Sequence, residues 1–133
     1  MSARQVEYTK IIADDLETEI LILVQDAHTP HEVLDNLANN PRWDIRYYVA
    51  WNPNTSVETL DKLYNDEIWE IQYRVASHPN ALAKTLTKLA ESPSKSIRLV
   101  VAEHPNCPTL IRLWLADDGY AGLSLAEFLE KVE

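Results

Sequence analysis

Apolar positions along this chain return at a fixed step. Leu34, Leu60 and Leu86 are 26 residues apart. The same step joins Leu37, Leu63 and Leu89; Ile45, Ile71 and Ile97; Val49, Val75 and Val101; and Ala50, Ala76 and Ala102. The polar breaks keep it too, as Asn52-Pro53-Asn54, His78-Pro79-Asn80 and His104-Pro105-Asn106. Within a unit the apolar residues fall at helical spacing: Val57, Leu60, Leu63 and Tyr64 on a first helix, then Ile71, Val75 and Ala76 on a second. A constant period of roughly 20–50 residues marks stacked supersecondary units. The pattern therefore predicts an all-α solenoid of about four helix-pair repeats of 26 residues, ending in a C-terminal capping helix.

The expected organisation is one domain over 1–133. Residues 1–27 form a degenerate N-terminal repeat, residues 28–54, 55–80 and 81–106 the regular ones, and residues 107–133 a partial repeat with its cap. Thr55-Ser56-Val57-Glu58 and Thr29-Pro30-His31-Glu32 read as capping boxes, with Pro30 at the first helical position. Asn80 is expected to cap the helix of the third unit, which has no box of its own. The second helix of each unit should stop ahead of its proline, because the residue before Pro is pushed out of the α region.

The ends depart from the pattern, as the ends of a stack must. Residues 6–13 and 15–25 read as a first pair, with core contacts from Ile20, Leu23 and Val24. At the other end Arg112 falls where Leu86 predicts a leucine, so the register has drifted. Ser124-Leu125-Ala126-Glu127 is a capping box for a last amphipathic helix carrying Leu125, Phe128, Leu129 and Val132, expected to lie across the end as a lid. Helices of about 9–11 residues are too short to be stable alone in water. A few buried aliphatic side chains at roughly 1.5–3 kcal/mol each cannot offset the ordering of such a helix at about 1–2 kcal/mol per residue, so neighbouring units must share their burial.

The string Ile45-Arg46-Tyr47-Tyr48-Val49-Ala50-Trp51-Asn52-Pro53-Asn54-Thr55, with Leu60 and Leu63 downstream, resembles the leucine-rich repeat variant unit, a relative of HEAT and armadillo repeats. The resemblance covers about residues 28–116. It implies a right-handed superhelix of alternating short helices, one of each pair often 3₁₀-like, and binding roles more than catalysis. The 26-residue unit is slightly longer than is typical, which leaves room for both helices to be α. Some members of that family hold an N-terminal iron–sulfur cluster on cysteines. Cys107 is the sole cysteine of this chain, so that cofactor is not carried over and none is expected.

Composition narrows the function classes. The net charge of −9 opposes phosphate backbones and anionic membrane surfaces and favours a basic protein partner. A local cluster of Lys84, Lys88, Lys95 and Arg98 reads as a solvated face. Residues 1–10 are mixed and polar, unlike a signal peptide, and the apolar run over 20–24 is too short to span a bilayer; a cytoplasmic location is expected. Two glycines in the whole chain argue against a turn-rich β fold.

Placed on a helix, Ile45 and Val49 define a buried side, while Trp43, Tyr47 and Trp51 fall roughly opposite at i, i+4 and i+8. Trp69 and Tyr73 repeat part of this stripe, and Lys95, Leu99 and Glu103 end it. Tyr48 and Arg74 share a varied position in the same helices. Trp, Tyr and Arg are enriched at binding hot spots. Two readings are open: the rings pack between units, or they form a partner-binding face of Trp43, Tyr47, Tyr48, Trp51, Trp69, Tyr73 and Arg74. Arg46, Gln72 and Arg98 form a further series, expected to cover apolar surface and bond the adjoining turn.

No catalytic residue and no metal site is expected. His78 and His104 stand where Asn52 stands, as helix-stop residues before Pro, and adjacent units at about 10 Å are too far apart to share one ion. Paired carboxylates such as Asp14-Asp15, Asp66-Glu67 and Asp117-Asp118 suit helix starts and corners. The sequence thus points to a non-enzymatic protein-interaction scaffold that binds on its concave face. A small HEAT-like enzyme or nucleic-acid protein, or a module that assembles with itself, are the other readings.

Overall fold

The computed structural model describes residues 16–116 and 122–132. The expected helix over 6–13 and the acidic pairs Asp14-Asp15 and Asp117-Asp118 lie outside the described residues. Among the described residues the chain is all-helical. Residues 16–25 form α1. It is followed by α2 (His31–Leu37), α3 (Trp43–Trp51), α4 (Val57–Leu63), α5 (Trp69–Ser77), α6 (Ala83–Leu89), α7 (Lys95–Glu103), α8 (Thr109–Ala116) and α9 (Leu125–Lys131).

Short and long helices alternate: α2, α4 and α6 have seven residues each, and α3, α5 and α7 have nine. Both kinds are α-helical, and both are at or below the shorter end of the expected lengths. Each short helix packs on the long one that follows, and the long helices α3, α5 and α7 lie side by side. The periodic apolar residues fill the space between them. Leu34, Leu60 and Leu86, with Ile45, Ile71 and Ile97 and with Val49, Val75 and Val101, are all at most 1% exposed. These three series keep the same burial at every 26-residue step, whereas Leu37 and Ala102 are only half-buried where Leu63, Leu89, Ala50 and Ala76 are buried.

Three of the expected caps are corrected. Thr55 and Thr29 do not cap the helices that follow them. Their hydroxyls donate six residues backwards, Thr55 to the Val49 carbonyl (2.6 Å) and Thr29 to the Leu23 carbonyl (2.5 Å). Both threonines are buried at the corner, where a helix has ended and its last carbonyls need donors. Ser56 caps α4 instead, its Oγ accepting from the Thr59 N–H, and Pro30 occupies the cap of α2 rather than its first turn. Asn80 does not cap α6, which starts after Leu82 without a side-chain cap; the Asn80 amide serves the preceding unit.

At the C-terminal end the drift in register is a shift of one residue: Ile111 and Trp114 are buried in α8, and Arg112 points elsewhere. Gly122 adopts φ +78°, where a side chain would strain the backbone. Ser124 and Glu127 then form the complete capping box of α9, which packs on α8 through Leu125 and Phe128.

Candidate functional site

The aromatic residues of α3 and α5 divide by size. Trp43, Trp51 and Trp69 are 53%, 47% and 53% exposed. Tyr47, Tyr48 and Tyr73 are half-buried and pack against the core. α3 and α5 each place Trp and Tyr one turn apart, so their rings meet. Trp43 and Tyr47 are edge-to-face at 6.3 Å, and Trp69 and Tyr73 repeat the contact at 6.3 Å on the next helix. Tyr47 also meets Tyr48 edge-to-face at 5.5 Å. Arg74 bridges the two helices: its Nε donates to the Tyr47 hydroxyl (3.0 Å), and its guanidinium carbon lies 5.4 Å from the Tyr47 ring centre. Of the seven residues singled out from the sequence, Trp43, Tyr47, Tyr48 and Arg74 form one connected group and Trp69 with Tyr73 a second. No ring contact joins Trp51 to either.

The surface extends further than the aromatic pattern indicated. Leu99, the counterpart of Tyr47 and Tyr73, is 54% exposed. It borders a pocket of about 220 Å³ between α7 and α8, lined also by Lys95, Ala102 and Leu115. The 26-residue step from Tyr73 was the available signal for Leu99.

The helix-stop residues are not loose caps. Asn52 is fully buried, and its Nδ2 donates to the carbonyls of Val24 (2.8 Å) and Asp26 (2.9 Å). His78 Nε2 donates to the Asn52 carbonyl (2.7 Å), and His104 Nε2 donates to the His78 carbonyl (2.7 Å). The direction follows from the other ring nitrogen. The N–H groups of Asn80 and Asn106 donate to Nδ1 of His78 and His104, both at 3.0 Å, so Nδ1 carries no proton. Asn52 Oδ1 accepts from Asn54 N–H in the same way. Asparagine and neutral histidine thus do one job, each presenting an acceptor to its own turn and a donor to the unit before.

Two more series run in parallel. The amides of Asn54, Asn80 and Asn106 donate to the carbonyls of Thr29, Thr55 and Ala81, each 25 residues back. On the short helices Asp35 accepts from Thr59 and Lys62, and Asp61 accepts from Thr85 and Lys88. The Lys62 ammonium and Thr59 hydroxyl hold the Asp35 carboxyl below the usual carboxylate range, and Lys88 does the same for Asp61. Lys88 also lies 4.6 Å over the Tyr64 ring. Arg46 binds Asp66 through Nε (2.8 Å) and the carbonyls of Asn40 (2.9 Å) and Pro41 (3.0 Å), matching the structural role expected for that series. Gln72 and Arg98 bond the carbonyls of Asp66 and Ser92 at the equivalent corners. Burial pushes the Cys107 thiol up, away from the thiolate a nucleophile needs.

No family model matches this chain, and neither a curated protein nor a solved structure shows significant similarity to it. Among the described residues, no helix is long and apolar enough to cross a membrane.

Proposed function

We propose that this chain is a non-enzymatic protein-binding scaffold of the leucine-rich repeat variant type, a right-handed superhelix of about four 26-residue helix pairs with a C-terminal capping helix. Three cross-unit hydrogen-bond series at near-constant offsets support the stacked arrangement. They give a side chain of each unit a partner on the unit before it.

The observation that carries the binding role is the duplicated Trp–Tyr contact of α3 and α5. In each copy a half-buried tyrosine, packed on the core, steadies a tryptophan that remains half in solvent. Apolar ring area held in one orientation without being used by the fold is what a hot-spot anchor requires. The partner lies on the concave face against Trp43, Tyr47, Tyr48, Trp51, Trp69, Tyr73 and Arg74, and the acidic field speeds the approach of a basic partner.

The test is affinity capture with the full chain and with the triple variant Trp43→Ala, Trp51→Ala, Trp69→Ala. The retained Trp114 fluorescence and the helical circular dichroism report the fold. Loss of specifically captured protein with the fold intact is the expected result. Equal capture by the variant refutes the proposal.

A further inference from the structure

We propose that the surface across α3 and α5 takes a basic segment of a partner polypeptide, whose Lys or Arg side chains lie on the exposed rings of Trp43 and Trp69 with Glu67 and Glu70 as counter-charges. This rests on the scaffold reading above and names the chemistry its face recognises.

The chain already uses its aromatic rings in this way. Arg74 lies over Tyr47 and Lys88 over Tyr64, at 5.4 Å and 4.6 Å from the ring centres. Trp is the ring that attracts cations most strongly, and no described cation lies over Trp43 or Trp69. Both rings are held edge-on by a tyrosine one turn later, so little side-chain freedom is left to lose on binding.

The charges around the rings fit the same occupant. Glu67 and Glu70 are exposed on either side of Trp69 in sequence, and neither forms an ion pair within 4 Å among the described residues, although the Glu67 charge also acts on the Arg46 guanidinium. Nearby cations are committed elsewhere. Arg42 pairs with Asp44 (2.7 Å) and Glu17 (3.4 Å), Arg46 with Asp66 (2.8 Å), and Arg74 bonds the Tyr47 hydroxyl. Lys95 stands one unit on, at the position of Trp43 and Trp69, and marks where the exposed tryptophans end. An incoming cation therefore meets exposed rings and carboxylates that form no ion pair within 4 Å among the described residues, in a chain whose net charge is −9. An acidic segment meets the same carboxylates with the wrong sign.

The experiment follows the four indole N–H signals of the full chain by NMR during titration with three peptides of equal length. One alternates Arg and Ser, one has Glu in place of Arg, and one has Leu in place of Arg. Trp114 is buried and its Nε1–H is bonded to the Leu123 carbonyl, so it serves as the internal reference. The Arg peptide is expected to move the Trp43 and Trp69 signals and leave Trp114 in place, with the Glu peptide inactive. Trp69→Leu should weaken binding about fivefold, the worth of one cation–π contact. The pair Glu67→Gln, Glu70→Gln should weaken it further and reduce its sensitivity to salt.

Binding of the Arg peptide that moves no tryptophan selectively, or that survives Trp69→Leu unchanged, is attraction by net charge alone and overturns the proposal. Selective movement of Trp43 and Trp69 by the Leu peptide but not the Arg peptide also overturns it while leaving the scaffold reading standing.

Discussion

The guanidinium of Arg112 donates to the carbonyl of His104 at 2.9 Å. That carbonyl is the acceptor which, in each earlier unit, receives the ring or amide of the residue 26 positions on. The same Nη2 reaches the Cys107 carbonyl (3.4 Å), the counterpart of those served by Asn54, Asn80 and Asn106, while Nε binds the Ala102 carbonyl (2.9 Å). One side chain thus ends two hydrogen-bond series, which accounts for an arginine where the period calls for leucine.

Arg112→Met keeps most of the aliphatic stem and removes the donors. It should destabilise the protein by about 1–3 kcal/mol, the cost of leaving carbonyls without partners. The urea midpoint should fall with an unchanged slope. An unaltered midpoint would show that water replaces the guanidinium without loss.

Burial holds the His78 imidazole below its ordinary value of 6.5, helped by the nearby His104 and opposed by the hydrogen bond to the Asn52 carbonyl. The unfolded chain therefore takes up a proton near pH 6.5, while the folded chain resists until lower pH. Stability is full above that value and declines as pH falls below it, with a slope of at most about 1.4 kcal/mol per pH unit from this group. Protonation would also turn Nδ1 from the acceptor of the Asn80 N–H into a competing donor. His78→Asn copies Asn52, which fills both roles and does not titrate in this range. Its stability should decline less than that of the parent between pH 7 and pH 5. A parallel decline in both proteins would place the acid sensitivity elsewhere.

Arg46 and Asp66 are 13% and 8% exposed in their side chains, and Asp66 also accepts from the Ile68 N–H. Arg46→Ala strands a carboxylate with little solvent and frees two corner carbonyls. The expected loss is about 2–3 kcal/mol, somewhat under the roughly 3–5 kcal/mol of a fully buried pair. Thermal unfolding of the variant checks it, and a melting temperature equal to the parent's contradicts it.

A peptide of residues 55–80 contains α4 and α5 entire but none of their partners α3, α6 and α7. Circular dichroism in water should show it unfolded, because helices of seven and nine residues do not persist without packing. Stable helix in the peptide would contradict the dependence of each unit on its neighbours.

The pattern of apolar residues was sufficient for the helices and for the burial of the Leu34, Ile45 and Val49 series. Leu34, Leu60 and Leu86 recur because the same position must be buried each time, and a helical spacing of apolar residues carries that requirement locally. The capping box of α9 was equally legible, since both of its partners lie within four residues. Thr55 and Thr29 were misread for a related reason. The local rule sees the helix ahead of a threonine, but the hydroxyl's strongest need lay behind it, in a carbonyl left open by the preceding helix.

The candidate surface was half legible. Helical periodicity put Trp43, Tyr47 and Trp51 on one side, but it could not divide the rings, because their exposure depends on the adjoining helix. Tyr47 is covered by Arg74 from α5, while no described cation covers Trp43 or Trp69, which stay half exposed. The bonds of Asn52, His78 and His104 were out of reach for the same reason, and so was the part Arg112 takes in ending their series. Periodicity along a chain reports which face of a helix avoids water; it says nothing of which carbonyl some 26 residues away comes to lie within 3 Å. That distance depends on how one helix pair settles against the next, and there the packing made asparagine, histidine and arginine answer the same need.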